Sequence, residues 1–96
     1  MKVRFTRPAQ RDLDQIHAYI SQDSPTIASR FVARIIEGAK TLADHPFEGM
    51  QTDEPDTRVI MASRLRYLIF YTIASDEIHI THIRHMSRRR PKSWNW

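Results

Sequence analysis

The chain contains no cysteine among its 96 residues. That excludes a disulfide framework and any thiolate zinc site, and it accords with a reducing cytoplasm. No apolar run approaches the roughly 20 residues that a membrane-crossing helix needs. The opening MKVRFTRPAQ also lacks the apolar core of a signal peptide. A cytoplasmic location with no membrane partner is therefore expected. Neither an internal repeat nor a low-complexity tract is present. A chain of this length supplies one hydrophobic core and not two, so residues 1–96 are read as a single domain.

Acidic residues are missing from the C-terminal end. All eleven Asp and Glu lie at or before Glu77, whereas Arg84, Arg88, Arg89, Arg90 and Lys92 follow it. The body of the chain is thus close to neutral, and the terminus carries the whole net charge of +4. A polarised basic end, here residues 85–96, favours anionic partners such as nucleic acid or an acidic protein segment.

The apolar residues specify the elements in order. Val3 and Phe5 share one face of a short strand over Lys2–Phe5. Thr6 supplies an N-cap and Pro8 occupies the first helical turn, where its missing N–H costs nothing. Ala9, Leu13, Ile16 and Ile20 then recur at helical spacing, leaving Arg11, Asp12, Asp14 and Gln15 toward water. This helix is predicted to end near Gln22. Ser24-Pro25 restarts the chain by the same capping logic. Ile27, Phe31, Ile35, Ala39 and Leu42 form the centre of a wide apolar stripe, predicting a long second helix to about Asp44. So short a connection makes the pair an antiparallel helix hairpin. Residues His45 to Thr57 read as a loop broken by Pro46, Gly49 and Pro55, with solvated acids Glu48, Asp53, Glu54 and Asp56.

Arg58 to Ala62 reads as a strand, and Ser63-Arg64 turns the chain into a hairpin. Leu65 to Ile73 is apolar on both faces, with Leu65, Tyr67, Ile69, Tyr71 and Ile73 on one side and Leu68 and Phe70 on the other. A strand buried on both faces belongs inside a sheet. Ala74-Ser75-Asp76 breaks the run, and Glu77 to Arg84 returns antiparallel. The expected fold class is α+β: an N-terminal strand, an antiparallel helix hairpin, then a three-stranded antiparallel sheet, in the order β-α-α-β-β-β.

His79, His82 and His85 have the spacing of a metal-binding set on a helix. On a strand the odd spacing sends His79 and His82 to opposite faces, so no metal site is expected. Tyr67, Phe70 and Tyr71 are read as core aromatics. Trp94 and Trp96 stand in a polar tail after Pro91, either folded back onto the domain or covered by a partner.

Three segments together carry a family resemblance. VRFTRPAQRDLDQIHAYI resembles the start of toxins of the ParE/RelE superfamily of bacterial type II toxin–antitoxin systems. ADHPFEGMQTDE is similar to that family's L-x-x-x-P-x-x-G segment. RYLIFYTI with EIHITHIRHMSRRRP looks like its terminal hairpin and basic tail. RelE-like members are ribosome-dependent, metal-independent mRNA endonucleases that use an arginine in the central strand. Here Leu68 occupies that position, in the run Leu68-Ile69-Phe70-Tyr71. Arg66, two residues earlier and read as facing the same side, is the imperfect substitute, with His85 and Arg88 completing an RNase set. ParE-like members lack the constellation and poison DNA gyrase by binding it, and the leucine favours that branch.

The resemblance then implies a cytoplasmic toxin that uses no cofactor. Arg64, Arg66, His85, Arg88, Arg89, Arg90 and Trp94 are the residues expected to bind the target. Leu13, Ile20, Phe31, Ile35 and Tyr67 are those expected to bind a cognate, ParD-like antitoxin that folds on the toxin. In the alternative reading the target is the ribosome and its mRNA.

Overall fold

The two prolines and the two hydroxyls before them set both helix starts. In the computed structural model, which describes residues 1–62 and 66–86, α1 spans Arg7–Ser21 and α2 spans Pro25–Lys40. Thr6 caps α1 by accepting the Ala9 N–H at 3.3 Å, and Ser24 caps α2 by accepting the Ile27 N–H at 3.2 Å. Gln22 is the C-cap of α1, as the spacing predicts, and a 3-10 turn over Thr41–Ala43 carries α2 to the expected end at Asp44. Thr6 has a second task. Its hydroxyl donates to the Ile80 carbonyl at 2.8 Å, pinning the start of α1 to the sheet.

Among the described residues five strands form the sheet: β1 (Lys2–Phe5), β2 (Met50–Gln51), β3 (Thr57–Ala62), β4 (Tyr67–Ala74) and β5 (Glu77–His85), in the spatial order β1-β5-β4-β3-β2. The α+β class and the helix hairpin are those the sequence predicts, and β4 is interior, as its two apolar faces require. Two strands exceed the expected three-stranded sheet. β1 joins it, pairing parallel with β5 from Lys2↔Glu77 to Phe5↔Ile80. Within the expected loop, Met50 and Gln51 pair with Val59 and Arg58. The expected turn at Ser63-Arg64 and the first residue of the hairpin, Leu65, lie outside the described residues.

Both helices cover one face, which we call the helical face. Ala9, Leu13 and Ile16 of α1 and Ile35 and Ala39 of α2 interlock there with Ile69, Tyr71, Ile78, Ile80 and Ile83. Each fully buried isoleucine among them stabilises the fold by about 1.5–3 kcal/mol relative to exposure. Tyr71 is also sealed, and its hydroxyl binds the connecting loop. It donates to the Pro46 carbonyl at 2.8 Å and accepts the Gly49 N–H at 2.9 Å. A Cβ on Gly49 would lie 2.5 Å from that hydroxyl, so only glycine lets the loop come this close. Arg58 adds a second tie, donating to the Gly49 carbonyl at 2.7 Å with its guanidinium 5.1 Å from the centre of the Phe47 ring. The L-x-x-x-P-x-x-G spacing thus has a physical basis: it brings the Pro46 carbonyl and the Gly49 N–H to one buried phenol.

One irregularity redirects the end of β5. Phe70 faces His82 while Tyr71 faces Ile80, which leaves Thr81 as an extra residue on β5. Such a bulge restarts the in–out alternation. His79 and His82 therefore share the face away from the helices, paired with Thr72 and Phe70, while His85 opposite Tyr67 lies on the helical face. This corrects the expectation that odd spacing separates His79 from His82. The bulge also keeps Ile83 in the core, three residues after Ile80.

Candidate functional site

β5 outruns its neighbour. β1 stops opposite Ile80, so the outer edge of β5 from Thr81 onward meets α1 instead of a strand. Asp12 fills the place of a strand partner there, its carboxylate accepting the Ile83 N–H at 2.9 Å. The same oxygen lies 3.6 Å from His82 Nδ1, and the Asp12 side chain is only 12% exposed. Sequence periodicity assigns Asp12 to the water-facing side of α1. The structure corrects this, because an edge N–H left without a strand is costly to bury unbonded.

Beyond this bond a groove of about 580 Å³ opens between α1 and the end of β5. Asp12, Gln15, Ile16 and Tyr19 line one wall, and Tyr67, Ile83 and His85 line the other. An aromatic series runs into this second wall from Phe31. The Phe31 ring meets Tyr67 edge to face at 5.5 Å, and Tyr67 meets His85 in the same way at 5.0 Å. Tyr19, 72% exposed, stands at the rim as an aromatic surface open to a partner. Arg66 precedes Tyr67, and its carbonyl accepts the Met86 N–H at 2.8 Å, closing the end of the hairpin.

The residues expected to bind a target or an antitoxin are redistributed. Tyr67 from the antitoxin set and His85 from the target set are in direct contact, with Phe31 adjoining. Leu13 and Ile35, from the antitoxin set, are buried in the core between the helices and the sheet. Ile20 is half-buried against the same core. Arg66 is exposed, with φ of 60°, and sits in the turn before β4 begins. The in–out alternation therefore does not place it beside Leu68, contrary to expectation. Leu68 faces away from the helices opposite Arg84, whereas His85 faces them. Arg64, Arg88, Arg89, Arg90 and Trp94 lie outside the described residues. Sequence reasoning did not select Gln15 and Tyr19. The available signal was a tyrosine on α1 outside its apolar stripe.

His79 and His82, though on one face, serve different partners. His79 Nε2 is 3.1 Å from Glu77 Oε1, and Arg4 Nε donates to Glu77 Oε2 at 3.1 Å. The hydrogen bond from His79, with Arg4 adding to it, holds the Glu77 carboxyl below the ordinary carboxylate range.

Over residues 3–90 the chain matches the family described as the ParE toxin of the type II toxin–antitoxin system parDE. The chain belongs to the ParE toxin family. Among its relatives, the putative toxin Y4kP of Sinorhizobium fredii is 35% identical over 91 residues, covering 95% of this chain and 94% of that protein. Toxin RelE2 of Caulobacter vibrioides is 33% identical over 87 residues, covering 91% and 97% respectively. A solved chromosomal ParDE toxin–antitoxin system from P. aeruginosa superposes with a TM-score of 0.80 at 27% identity, covering 91% of this chain and 97% of that one. A YoeB/ParE toxin from Agrobacterium tumefaciens shares the fold, with a TM-score of 0.61 at 14% identity over 88% and 98% of the two chains. The ParE fold described above, with two helices against one face of an antiparallel core sheet, is thus common to relatives of low identity.

Proposed function

We propose that this ParE-family toxin acts in the cytoplasm by binding and inhibiting DNA gyrase, and that a cognate ParD-like antitoxin neutralises it by folding onto the groove. One observation carries the choice of inhibitor over nuclease. Metal-independent RNA cleavage needs a base, a cation and an acid converging on one phosphate. Here Leu68 faces away from the helices, His85 faces them, and Arg66 stands outside the strand. Binding demands no such convergence, only an ordered and accessible surface. The contact between Tyr67 and His85 also favours neutralisation by occlusion, since a segment seated against Tyr67 in the groove covers a residue assigned to the target.

The alternative is a RelE-like mRNA endonuclease using Arg66, His85 and Arg88. It draws support from the relative named Toxin RelE2 and from the half-exposed position of His85 beside the groove. One experiment separates the two. The chain is expressed without a partner while chromosome integrity and messenger RNA are followed together. The purified chain is also added to gyrase in a supercoiling assay. Gyrase poisoning gives broken chromosomes, an SOS response and loss of supercoiling, which Arg66→Ala should weaken but largely spare, since Arg66 is one of several target-binding residues. Codon-positioned cuts in translated messages that Arg66→Ala abolishes, with supercoiling untouched, would overturn the proposal.

A further inference from the structure

The helix hairpin carries a polar cluster that the groove does not use. His17 and Ser21 stand one turn apart on α1 and so share a face, and Ser29 meets them from α2. His17 Nε2 lies 3.2 Å from Ser29 Oγ, and His17 Nδ1 lies 3.2 Å from Ser21 Oγ. Ser29 is exposed, whereas His17 and Ser21 are half-buried. The groove is lined by other residues, so this cluster is independent of it.

One serine–imidazole bond would be enough to tie two helices together. Here both ring nitrogens are engaged, and that has a chemical consequence. A neutral imidazole has one N–H and one nitrogen lone pair. One hydroxyl must therefore accept from the ring while the other donates to it. With the N–H on Nδ1 and Ser21 Oγ as its acceptor, the Nε2 lone pair faces the Ser29 proton. This is the arrangement of an activated nucleophile: a hydroxyl, a base within hydrogen-bond reach, and a third group that orients the base. The reverse tautomer would activate Ser21, whose half-buried position is the less open to an incoming reagent.

We propose that Ser29 is a nucleophilic serine, with His17 as its general base and Ser21 as a positioning residue, and that it accepts acyl groups from activated esters. In the step, Ser29 Oγ bonds to the acyl carbon and its proton passes to His17 Nε2. The bond from that carbon to the leaving oxygen or sulfur breaks, and the departing group takes the proton from His17. The products are O-acyl-Ser29, a free phenol or thiol, and neutral His17. A base at this distance removes the proton but does not itself stabilise the tetrahedral oxyanion. The donor class is accordingly one with a good leaving group, an aryl ester or a thioester. Acylation also removes the Ser29 proton that joins the two helices.

Intact toxin is treated with p-nitrophenyl acetate in mildly alkaline buffer, where imidazoles are neutral, and acetylation is followed peptide by peptide in the mass spectrometer. Hydroxylamine then separates ester-linked acetyl, which it releases, from acetyl on amines, which it leaves. Ser75, exposed in the turn between β4 and β5, is the comparison within the same chain. The proposal expects Ser29 to be acetylated about 100-fold faster than Ser75, the low end of general-base assistance. His17→Gln should bring Ser29 down to the rate of Ser75, and Ser21→Ala should slow it several-fold, both with unchanged far-ultraviolet circular dichroism. Equal rates at Ser29 and Ser75 in the parent chain overturn the proposal, and this comparison needs no variant to fold. Ester-linked acetyl on Ser21 in place of Ser29 assigns the opposite tautomer and overturns it. So does a Ser29 rate indifferent to His17→Gln, which leaves the cluster as a tie between helices.

Discussion

Replacing Tyr71 by phenylalanine isolates the chemistry that fastens the Pro46–Gly49 loop to the core. The ring stays, so the apolar packing and the fully buried position are kept. Two hydrogen bonds are lost, and they differ in consequence. The one to the Pro46 carbonyl is partly buried, and water can replace it. The Gly49 N–H is buried and would be left without an acceptor. Stranding one buried donor costs about 1–3 kcal/mol, well above the net value of an exposed bond. For a domain of this size that corresponds to a drop in Tm of roughly 5–15 °C.

Urea unfolding monitored by circular dichroism measures the loss. The slope with denaturant should be unchanged, because the surface exposed on unfolding is the same. The pH dependence provides a second, independent readout. Burial raises the Tyr71 pKa above its ordinary 10.0, outweighing the opposing effects of the Gly49 N–H and Arg58. The folded state therefore holds the proton more tightly than the unfolded one. This contribution is complete below pH 10.0 and disappears as the pH rises through the folded value. The parent toxin should lose stability in that alkaline window, and Tyr71→Phe should lack this component. A variant within about 0.5 kcal/mol of the parent at neutral pH, the range of an ordinary surface change, would refute the reasoning.

Two further expectations test the edge of β5. Asp12→Ala removes the acceptor for the Ile83 N–H and should cost about 1–3 kcal/mol, measured by urea unfolding. Asp12→Asn, which keeps an acceptor oxygen, should recover most of that loss. Glu77, whose carboxyl is lowered chiefly by the bond from His79, favours folding above the ordinary carboxylate range. That contribution is lost as the pH falls through its folded value. Glu77→Gln should therefore flatten the acid limb of a stability–pH profile, and an unchanged acid limb would show that the cluster with Arg4 and His79 is energetically idle.

Much of this molecule is legible residue by residue because the relevant forces act over one turn or one strand. Thr6 with Pro8 and Ser24 with Pro25 set helix starts through bonds spanning three residues. The two-faced apolar run of β4 announces an interior strand, since each face must be buried by something. The Leu42–Gly49 spacing is visible as a pattern, although its partner, the Tyr71 hydroxyl, lies 22 residues beyond Gly49.

The site was harder to read, because its residues are placed by pairings between distant parts of the chain. Nothing near Thr81 announces an extra residue in β5, yet that residue puts His79 and His82 on one face. Asp12 resembles any solvated helix acid until β1 proves too short to pair the end of β5. Arg66 reads as part of a strand until its φ of 60° places it in the turn. Leu13 and Ile35 have the same apolar character whether they face a partner or their own sheet, and only the packing decided for the sheet. The sequence alone determined both helices and every strand but β2, and that positive charge gathers after Glu77. Tertiary structure determined which side each functional group faces, because facing depends on register, and register is settled only when the strands meet.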